Sequence, residues 1–404
     1  MTTSTPPLLT PTRHIVWLAL ALSTGAALSL GITRFSYGLL LPPMRSDLGW
    51  SYTLAGAMNT VNALGYFLGA LVTPRLLQRF GAAQVLMTGA MLASVFMALT
   101  GFFTDTPLLL AQRLLAGVAS ALVFIAGGLL AARLGALQPA RSGFLIGLYY
   151  GGTGFGIVLS ALLVPVVLAA EEQVPHGWAW AWWALALACC VVTVVLRWPA
   201  RVLLHLTHQA PAGDTGRPVD FKWGRFGFAL AGYAMFGVGY IGYMTFVIAL
   251  LREQGASGPA VTFFYALLGL AVLASPRIWA RLLDRYKGGQ ALALLSALLG
   301  LATVLPALTS AWPVILASGL LFGGVFLSLV ASTTALVRHN LPQSAWAAGI
   351  SAFTIVFAVG QIVGPTIVGW IADGPGGLAR GLVFSALALW IGAALASRQR
   401  ALTH

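Results

Sequence analysis

Charge is the property that this sequence has least of. Only 8% of its 404 residues are charged and 59% are hydrophobic, whereas soluble proteins carry roughly 25% charged residues. So few charges cannot cover a water-exposed surface, which excludes an ordinary soluble protein. Cysteine is nearly absent as well. The two cysteines, Cys189 and Cys190, are adjacent within an apolar run, which excludes a disulfide framework and the spacing of a zinc site.

The sequence motifs of membrane-bound enzymes are also missing. The chain contains neither HExxH nor GxSxG, and its six histidines fall in tails, loops or the ends of apolar runs. The stretch from Gly237 to Gly242 matches GxGxxG, but it lies inside an apolar run instead of a strand-to-helix turn. We therefore expect no enzyme activity, no cofactor and no bound metal.

Long apolar runs are what the sequence does contain. A helix needs about 20 residues to cross a bilayer, and the runs lack the period-two alternation of a transmembrane β-barrel. The first run follows Arg13 and His14 as a signal peptide would, but it is longer than the apolar core of such a peptide. We predict an all-α integral membrane protein with twelve spans, at 15–41, 51–73, 84–103, 107–132, 143–168, 178–197, 226–251, 260–283, 290–309, 312–337, 345–372 and 378–397.

The distribution of basic residues predicts the orientation of the spans. The net charge is +13, and most basic residues lie in the tails and in the connections that follow even-numbered spans. The other side carries only Arg45, Arg252 and Arg380. The positive-inside rule then places both termini in the cytoplasm. The basic excess needs no nucleic-acid partner to explain it, although contact with anionic lipid head groups is natural.

The chain is predicted to consist of two related halves. Shifting the sequence by 206 residues aligns Tyr37 with Tyr243, and Asp47 with Glu253. We therefore divide the chain into a six-helix half at 1–197, a cytoplasmic linker at 198–224 and a second half at 225–404. Parallel repeats of this kind place a binding site at the midplane and allow the two halves to rock around it.

Short motifs resemble those of the major facilitator superfamily. The loop with Arg75, Arg79 and Gly81 is similar to its signature loop, although Gln78 stands where an aspartate is usual, and Asp284 with Arg285 repeat the pattern in the second half. The segments 31–37, 42–44, 62–66 and 360–365 resemble the YbfB/YjiJ-type branch. The resemblance implies the major facilitator fold, transport by alternating access, gating by the two signature loops and a bacterial inner-membrane location.

Two arginines are the only charged residues well inside predicted spans. Each costs on the order of 3 kcal/mol near the bilayer centre, and by helical rise Arg34 and Arg113 both lie about 10 Å below the same boundary. One interpretation is that they bind an anionic substrate through their planar donor groups. The alternative is that they clamp helices through backbone carbonyls, or reach outward to an acidic residue at the span ends.

Polar residues at helical spacing form further candidate binding groups. Asn59, Asn62 and Tyr66 share one face of the second span. Hydrogen bonding between helices is the alternative explanation for all of these residues. The substrate-binding candidates besides the two arginines are Tyr37, Asn59, Asn62, Tyr66, Tyr149, Tyr150, Tyr240, Tyr243, Thr334 and Gln361.

We expect a secondary transporter or facilitator that moves a small solute by alternating access. The embedded arginines make an organic anion the favoured solute. The expected partners are this solute and the lipid bilayer, and the chain is expected to act as a monomer. The alternative is a receptor or scaffold that keeps the transporter fold without transport, but its short loops offer little surface for a partner.

Overall fold

The fold, taken from a computed structural model, is a bundle of membrane-spanning helices. The structure describes residues 12–138, 141–171, 173–207, 222–342 and 345–402, and within these ranges its regular secondary structure is helical throughout. The first rod, α1, joins Thr12–Ala26, the π-helical Ala27–Phe35 and Tyr37–Leu48. The others are α2 Tyr52–Phe80, α3 Ala82–Thr100, α4 Thr106–Ala136, α5 Ser142–Ala170, α6 Trp178–Thr207, α7 Gly227–Glu253, α8 Gly258–Arg285, α9 Gln290–Leu308, α10 Trp312–Asn340, α11 Trp346–Ala372 and α12 Gly377–Ser397.

Eleven helices in the described part of the chain are long and apolar enough to cross a membrane. The remaining rod is α2, which has 29 residues and therefore sufficient length. Its polar side chains, among them Asn59, Thr60 and Asn62, make it less apolar than the others. All three side chains are at least half-buried in the bundle, so α2 is the twelfth membrane-spanning helix. The predicted twelve-helix fold is confirmed.

Several helices continue past the ends of the predicted spans. The first rod reaches Leu48, α2 reaches Phe80, and α6 reaches Thr207. The predicted spans follow apolar residues alone, whereas helical hydrogen bonding continues into the polar end regions. The start of the predicted linker 198–224 is thus helical, and a short 3-10 turn at Trp223–Phe226 leads into α7. The middle of that linker, 208–221, lies outside the described residues.

Helix ends repeat at the 206-residue offset between the two halves. The Ser51 hydroxyl accepts a backbone N–H in the first turn of α2, and Ser257 does the same for α8. Just before each serine, a glycine with positive φ ends the preceding helix, Gly49 at 65° and Gly255 at 87°. The conformation suits glycine because it has no Cβ. The same stop and start signals therefore occur in both halves.

Helix packing repeats at the same offset. A Cβ at Gly117 would lie 2.2 Å from the Asn62 carbonyl oxygen, and one at Gly323 would lie 2.3 Å from that of Leu268. Asn62 and Leu268 are themselves 206 residues apart. Glycine thus permits the same close approach of α2 to α4 and of α8 to α10, and the two halves are pseudo-symmetric.

The two halves meet through three sets of helices. The last segment of α1 packs on α7, α2 packs on α11, and α5 packs on α8. One end of the bundle carries the start of α1 at Thr12, the end of α12 at Ser397 and most of the described basic residues, and we call it the basic end. The other end carries the short connections 49–51 and 254–257, and we call it the opposite end. A binding site between the halves would lie between these two ends.

Candidate functional site

The π-helical segment Ala27–Phe35 positions the first embedded arginine. The Ser29 hydroxyl donates to the Ser120 carbonyl oxygen of α4 at 2.9 Å. On the side of α5, Gly31 packs so closely that its Cβ, if present, would lie 2.5 Å from the Cα of Gly156. The backbone that carries Arg34 is therefore held from two sides. Short π-helical turns occur frequently at functional sites.

Arg34 is a buried cation that has no hydrogen-bond or ion-pair partner among the described residues. Its side chain is 3% exposed, and its Nε and Nη2 atoms are buried with no hydrogen-bond acceptor. Within the described ranges it takes part in no hydrogen bond or ion pair with the protein. A buried charge is normally paired because its desolvation is costly. The guanidinium thus has donors available for a group that is not part of the described chain.

Side chains from both halves surround this guanidinium. Tyr66 of α2 and Tyr240 of α7 lie within electrostatic range of Arg34, and Tyr66 lies within that range of Tyr240. The Tyr240 hydroxyl donates to Gln361 Oε1 of α11 at 2.7 Å. No described residue accepts from the side-chain amide of Gln361. These four predicted residues therefore converge between the halves.

Arg113, in contrast, is held by the protein. It is fully buried, and it donates from Nη1 to the Thr33 carbonyl oxygen at 2.7 Å and from Nη2 to Asn59 Oδ1 at 3.2 Å. Its guanidinium also lies over the rings of Tyr37 and Trp182, 5.2 and 5.5 Å from their centroids. We predicted substrate binding for Arg113, but this geometry favours the alternative, a clamp that joins α4 to α1 and α2.

Most of the other buried polar candidates are also satisfied inside the protein. Each makes a hydrogen bond that links two helices, which is the alternative that the sequence left open. Their contacts are Tyr37 hydroxyl to Ala55 carbonyl at 2.8 Å, Asn59 Nδ2 to Thr245 Oγ1 at 2.8 Å, Asn62 Nδ2 to Arg113 carbonyl at 3.0 Å, Tyr149 hydroxyl to Phe124 carbonyl at 2.9 Å, and Tyr243 hydroxyl with Ser318 Oγ at 2.7 Å. Their geometry favours packing over substrate contact.

Three further candidates have hydroxyls that form no hydrogen bond with a described residue. The side chains of Tyr66 and Thr334 are half-buried, and that of Tyr150 is 37% exposed. Within the part that the structure describes, none of their hydroxyls forms a hydrogen bond. The rings of Tyr66 and Tyr150 contact Phe124 of α4, with centroids 6.3 and 5.3 Å apart. The first half therefore presents an aromatic surface beside Arg34.

The second half presents a larger group of rings that the sequence analysis did not identify. We call Phe236, Tyr240, Phe326 and Phe357 the aromatic wall. Tyr240 lies 5.2 Å from Phe326 and 5.5 Å from Phe357, with rings inclined by 18° and 22°, and Phe236 lies 5.2 Å from Phe357 at 7°. Phe35, next to Arg34 in the chain, contacts Phe326 edge to face at 5.8 Å. The only sequence signal was the helical spacing of Phe236 and Tyr240 in α7.

At the opposite end, polar contacts join the two halves. The Asp373 carboxylate accepts the backbone N–H of Tyr52 at 2.7 Å, and both the backbone N–H and hydroxyl of Thr53 at 2.9 and 2.6 Å. The Tyr52 hydroxyl donates to Glu253. We call these four residues the opposite-end latch. Burial acts to raise the pKa of Asp373, but the hydrogen bonds from Thr53 and Tyr52 outweigh it and hold the pKa below its usual range.

Deeper contacts continue this closure toward the site. The Thr60 and Thr366 hydroxyls lie 2.8 Å apart, and a Cβ at Gly56 would lie 2.2 Å from the Pro365 carbonyl oxygen. In the described part of the chain, by contrast, α4 makes no extended contact with α10 or α11. The halves are therefore closed toward the opposite end and separated between α4 and α10.

The predicted signature loops make few contacts. Gly81 ends α2 at a φ of 79°, and Arg75, Arg79, Asp284 and Arg285 are all exposed. Two of the arginines lie over the ring that follows them in the chain, Arg79 over Phe80 and Arg285 over Tyr286. Among described residues, none of the four charged side chains forms an ion pair. Their proposed role in gating stays a prediction.

Comparison with known proteins relates this geometry to a family. Residues 26–397 match the family model described as "Uncharacterised MFS-type transporter YbfB". Two relatives are similar over most of their length. A putative tartrate transporter of Agrobacterium vitis is 27% identical over 88% of this chain and 86% of its own, and a gentisate transporter of Corynebacterium glutamicum is 24% identical over 84% and 77%.

A solved structure shares the architecture. It is the crystal structure of a bacterial homologue of the human lysosomal transporter Spinster, in an inward-facing and occupied conformation. The likeness has a TM-score of 0.68 at 17% identity and covers 97% of this chain and 98% of the other. At this identity the comparison shows a common fold.

Proposed function

Because this chain belongs to the YbfB family of MFS-type transporters, we propose that it moves a small organic anion across the membrane and that Arg34 binds the anion. The observation that carries the proposal is the buried Arg34 guanidinium, which lacks a hydrogen-bond partner among the described residues. An anion would provide the missing acceptors and offset the desolvation of the charge. The two relatives named above, for tartrate and for gentisate, support an organic acid as the solute.

The proposed site has defined roles for its residues. Arg34 binds the anionic group, while the Gln361 amide and the Tyr66 hydroxyl donate hydrogen bonds to its remaining polar atoms. The Tyr240 hydroxyl donates to Gln361 Oε1 and so orients that side chain. Tyr150 of α5 and Thr334 of α10 are partly exposed, and we assign them to the access path. Arg113 does not bind the solute but holds the backbone of the segment that carries Arg34.

The proposed orientation places the basic end in the cytoplasm, with both termini there. The concentration of basic residues at that end supports this assignment, and it makes the bacterial cytoplasmic membrane the natural location. The opposite-end latch then closes the extracytoplasmic side, and the separation between α4 and α10 faces inward. Alternating access would require the latch to open while the cytoplasmic ends of α4 and α10 approach each other.

A single chain contains both halves of the proposed site, so we propose that the monomer transports. We also propose that the protein is a carrier and not an enzyme, because the side chains near Arg34 include no described nucleophile paired with a base. The alternative, a non-transporting receptor or scaffold, is not favoured by the family match.

Ligand stabilisation of the purified protein tests the binding class. Full-length protein in detergent is heated with organic anions, organic cations and neutral solutes at matched concentrations. A ligand at 100 times its Kd adds about 2.7 kcal/mol to the free energy of unfolding. We expect stabilisation by at least one carboxylate and its loss in Arg34→Gln, while Arg285→Gln, which changes an exposed arginine, keeps it. Stabilisation by cations alone, or full stabilisation of Arg34→Gln by the carboxylate, would contradict the proposal.

A further inference from the structure

The number of available cations limits the charge of the solute. Arg34 and Arg113 are the two buried arginines of the described chain, and Arg113 already donates to Thr33 and Asn59. One guanidinium carries a single positive charge, which balances the single negative charge of one carboxylate. A second carboxylate on the same solute would enter the buried region without a cationic partner, which is costly. The site is therefore suited to a single negative charge.

The aromatic wall indicates which chemical group the solute carries beside its carboxylate. Phe35, the residue that follows Arg34, contacts Phe326 of the wall at 5.8 Å, and Phe326 lies 5.2 Å from Tyr240, so the rings begin where the carboxylate would bind. Phe357 is stacked on Phe236 and Tyr240 but is only half-buried. Its ring is thus not fully covered by the protein. A planar ring placed beside it would continue an arrangement in which neighbouring rings are nearly parallel.

The first half supplies a second group of aromatic side chains near Arg34. Tyr66 is half-buried, and its ring is edge to face with that of Phe124. The Tyr150 ring lies on Phe124 as well. A solute between Tyr66 and Tyr240 would therefore meet aromatic carbon from both halves, with its charge at Arg34.

We propose that the preferred solute is a planar aromatic monocarboxylate, whose carboxylate pairs with Arg34 and whose ring lies between Tyr66 and the aromatic wall. This inference rests on the proposed function, because it takes Arg34 as the anion site. It adds a selectivity that the proposed function does not contain: aromatic over saturated acids, and one carboxylate over two.

Three acids of similar size test the preference for an aromatic ring and the preference for a single carboxylate separately. Benzoate and cyclohexanecarboxylate share a six-membered ring and a carboxylate, but only benzoate is aromatic. Succinate carries two carboxylates and no ring. Their Kd values are measured by calorimetric titration of the full-length protein in detergent. We expect benzoate to bind more tightly than cyclohexanecarboxylate by about threefold to tenfold, the range that aromatic contacts provide beyond buried area, and succinate to bind more weakly than both.

A substitution in the aromatic wall tests whether its rings cause the preference for benzoate over cyclohexanecarboxylate. Phe357→Leu keeps an apolar side chain at a half-buried position, and we expect it to bring the ratio of the two ring-acid Kd values close to one. The matched control is Phe384→Leu, a half-buried phenylalanine of α12 outside the wall, which should keep the wild-type ratio. An unchanged ratio in Phe357→Leu would overturn the role of the wall.

The outcomes separate this inference from the proposed function. Equal Kd values for the two ring acids, or tightest binding of succinate, would overturn the aromatic monocarboxylate while leaving the anion site in place, provided that Arg34→Gln abolishes the binding. Benzoate binding that survives Arg34→Gln would overturn both. If none of the three acids binds, the aromatic assignment is overturned, and the wider carboxylate panel decides on the proposed function.

Discussion

The contrast between the two buried arginines makes a prediction about stability without any ligand. Arg34→Met and Arg113→Met replace each guanidinium by an apolar side chain of similar length. Removing the charge from Arg34 breaks no described hydrogen bond. It relieves a desolvation penalty of up to about 3 kcal/mol. Arg34→Met should therefore unfold at the wild-type temperature or above it.

For Arg113→Met, the same comparison of lost contacts with relieved desolvation predicts a lower free energy of unfolding. Two hydrogen bonds from a charged donor are lost, at about 1.5 to 3 kcal/mol each, along with two cation–π contacts of about 1 kcal/mol each. Relief of desolvation offsets about 3 kcal/mol of this. The expected net destabilisation is about 2 to 5 kcal/mol, because the Thr33 carbonyl oxygen and Asn59 Oδ1 lose the donor that they share.

Thermal unfolding of the two variants in the same detergent, without added solute, provides the measurement. The expected order of unfolding temperature is Arg34→Met at or above wild type, and Arg113→Met clearly below it. Comparable losses in both variants would refute the reasoning, since they would mean that Arg34 also has a stabilising partner within the protein. The ligand experiment on Arg34→Gln would then measure folding and not binding.

Three further predictions concern the closure of the opposite end. In a background without native cysteines, Asp373→Asn should increase the labelling of Thr60→Cys by an impermeant maleimide added from outside. The control Asp105→Asn, which changes an exposed acid, should not increase it. Equal labelling of Thr60→Cys with and without Asp373→Asn would contradict the role of the latch. Because the folded-state pKa of Asp373 is lowered, its stabilising contribution is present above the ordinary aspartate pKa of about 3.9 and is lost as the pH falls through the folded-state value. Labelling of Thr60→Cys should therefore stay constant from pH 8 to pH 5, and a steep rise between pH 6 and pH 5 would show that another group controls the closure. Gly56→Ala should favour the outward-open form and lower the transport rate at least severalfold, since its Cβ would clash with the Pro365 carbonyl oxygen. The control Gly147→Ala, whose Cβ would meet no described atom within 4 Å, should transport normally. Normal transport by both variants would show that Gly56 does not control closure.

The fold was predictable from the sequence because its determinants are local. Apolar runs of spanning length dictate helices in lipid, and the internal repeat predicted two halves before any contact was known. The helix ends were less accurate, as the continuation of α6 to Thr207 shows. Hydropathy follows the transfer of side chains into lipid, whereas a helix ends where its backbone hydrogen bonds end.

The candidate site was only partly predictable because it depends on which partner each side chain finds. Arg34 and Arg113 looked equivalent in sequence, being equally deep and equally charged. They differ because Arg113 reaches the Thr33 carbonyl and the Asn59 amide, and Arg34 reaches neither. Likewise, the wall of Phe236 and its neighbours comes from three different helices, so no short sequence window contains it.

The measurement that tests the central claim most directly is solute exchange in proteoliposomes. Vesicles that contain the full-length protein are loaded with unlabelled benzoate and diluted into labelled benzoate, and the time course of label uptake is followed. We predict uptake above protein-free vesicles for wild type and for Arg285→Gln, and its loss in Arg34→Gln at an equal amount of folded, reconstituted protein. Uptake by Arg34→Gln at the wild-type rate would contradict the claim that Arg34 binds the transported anion.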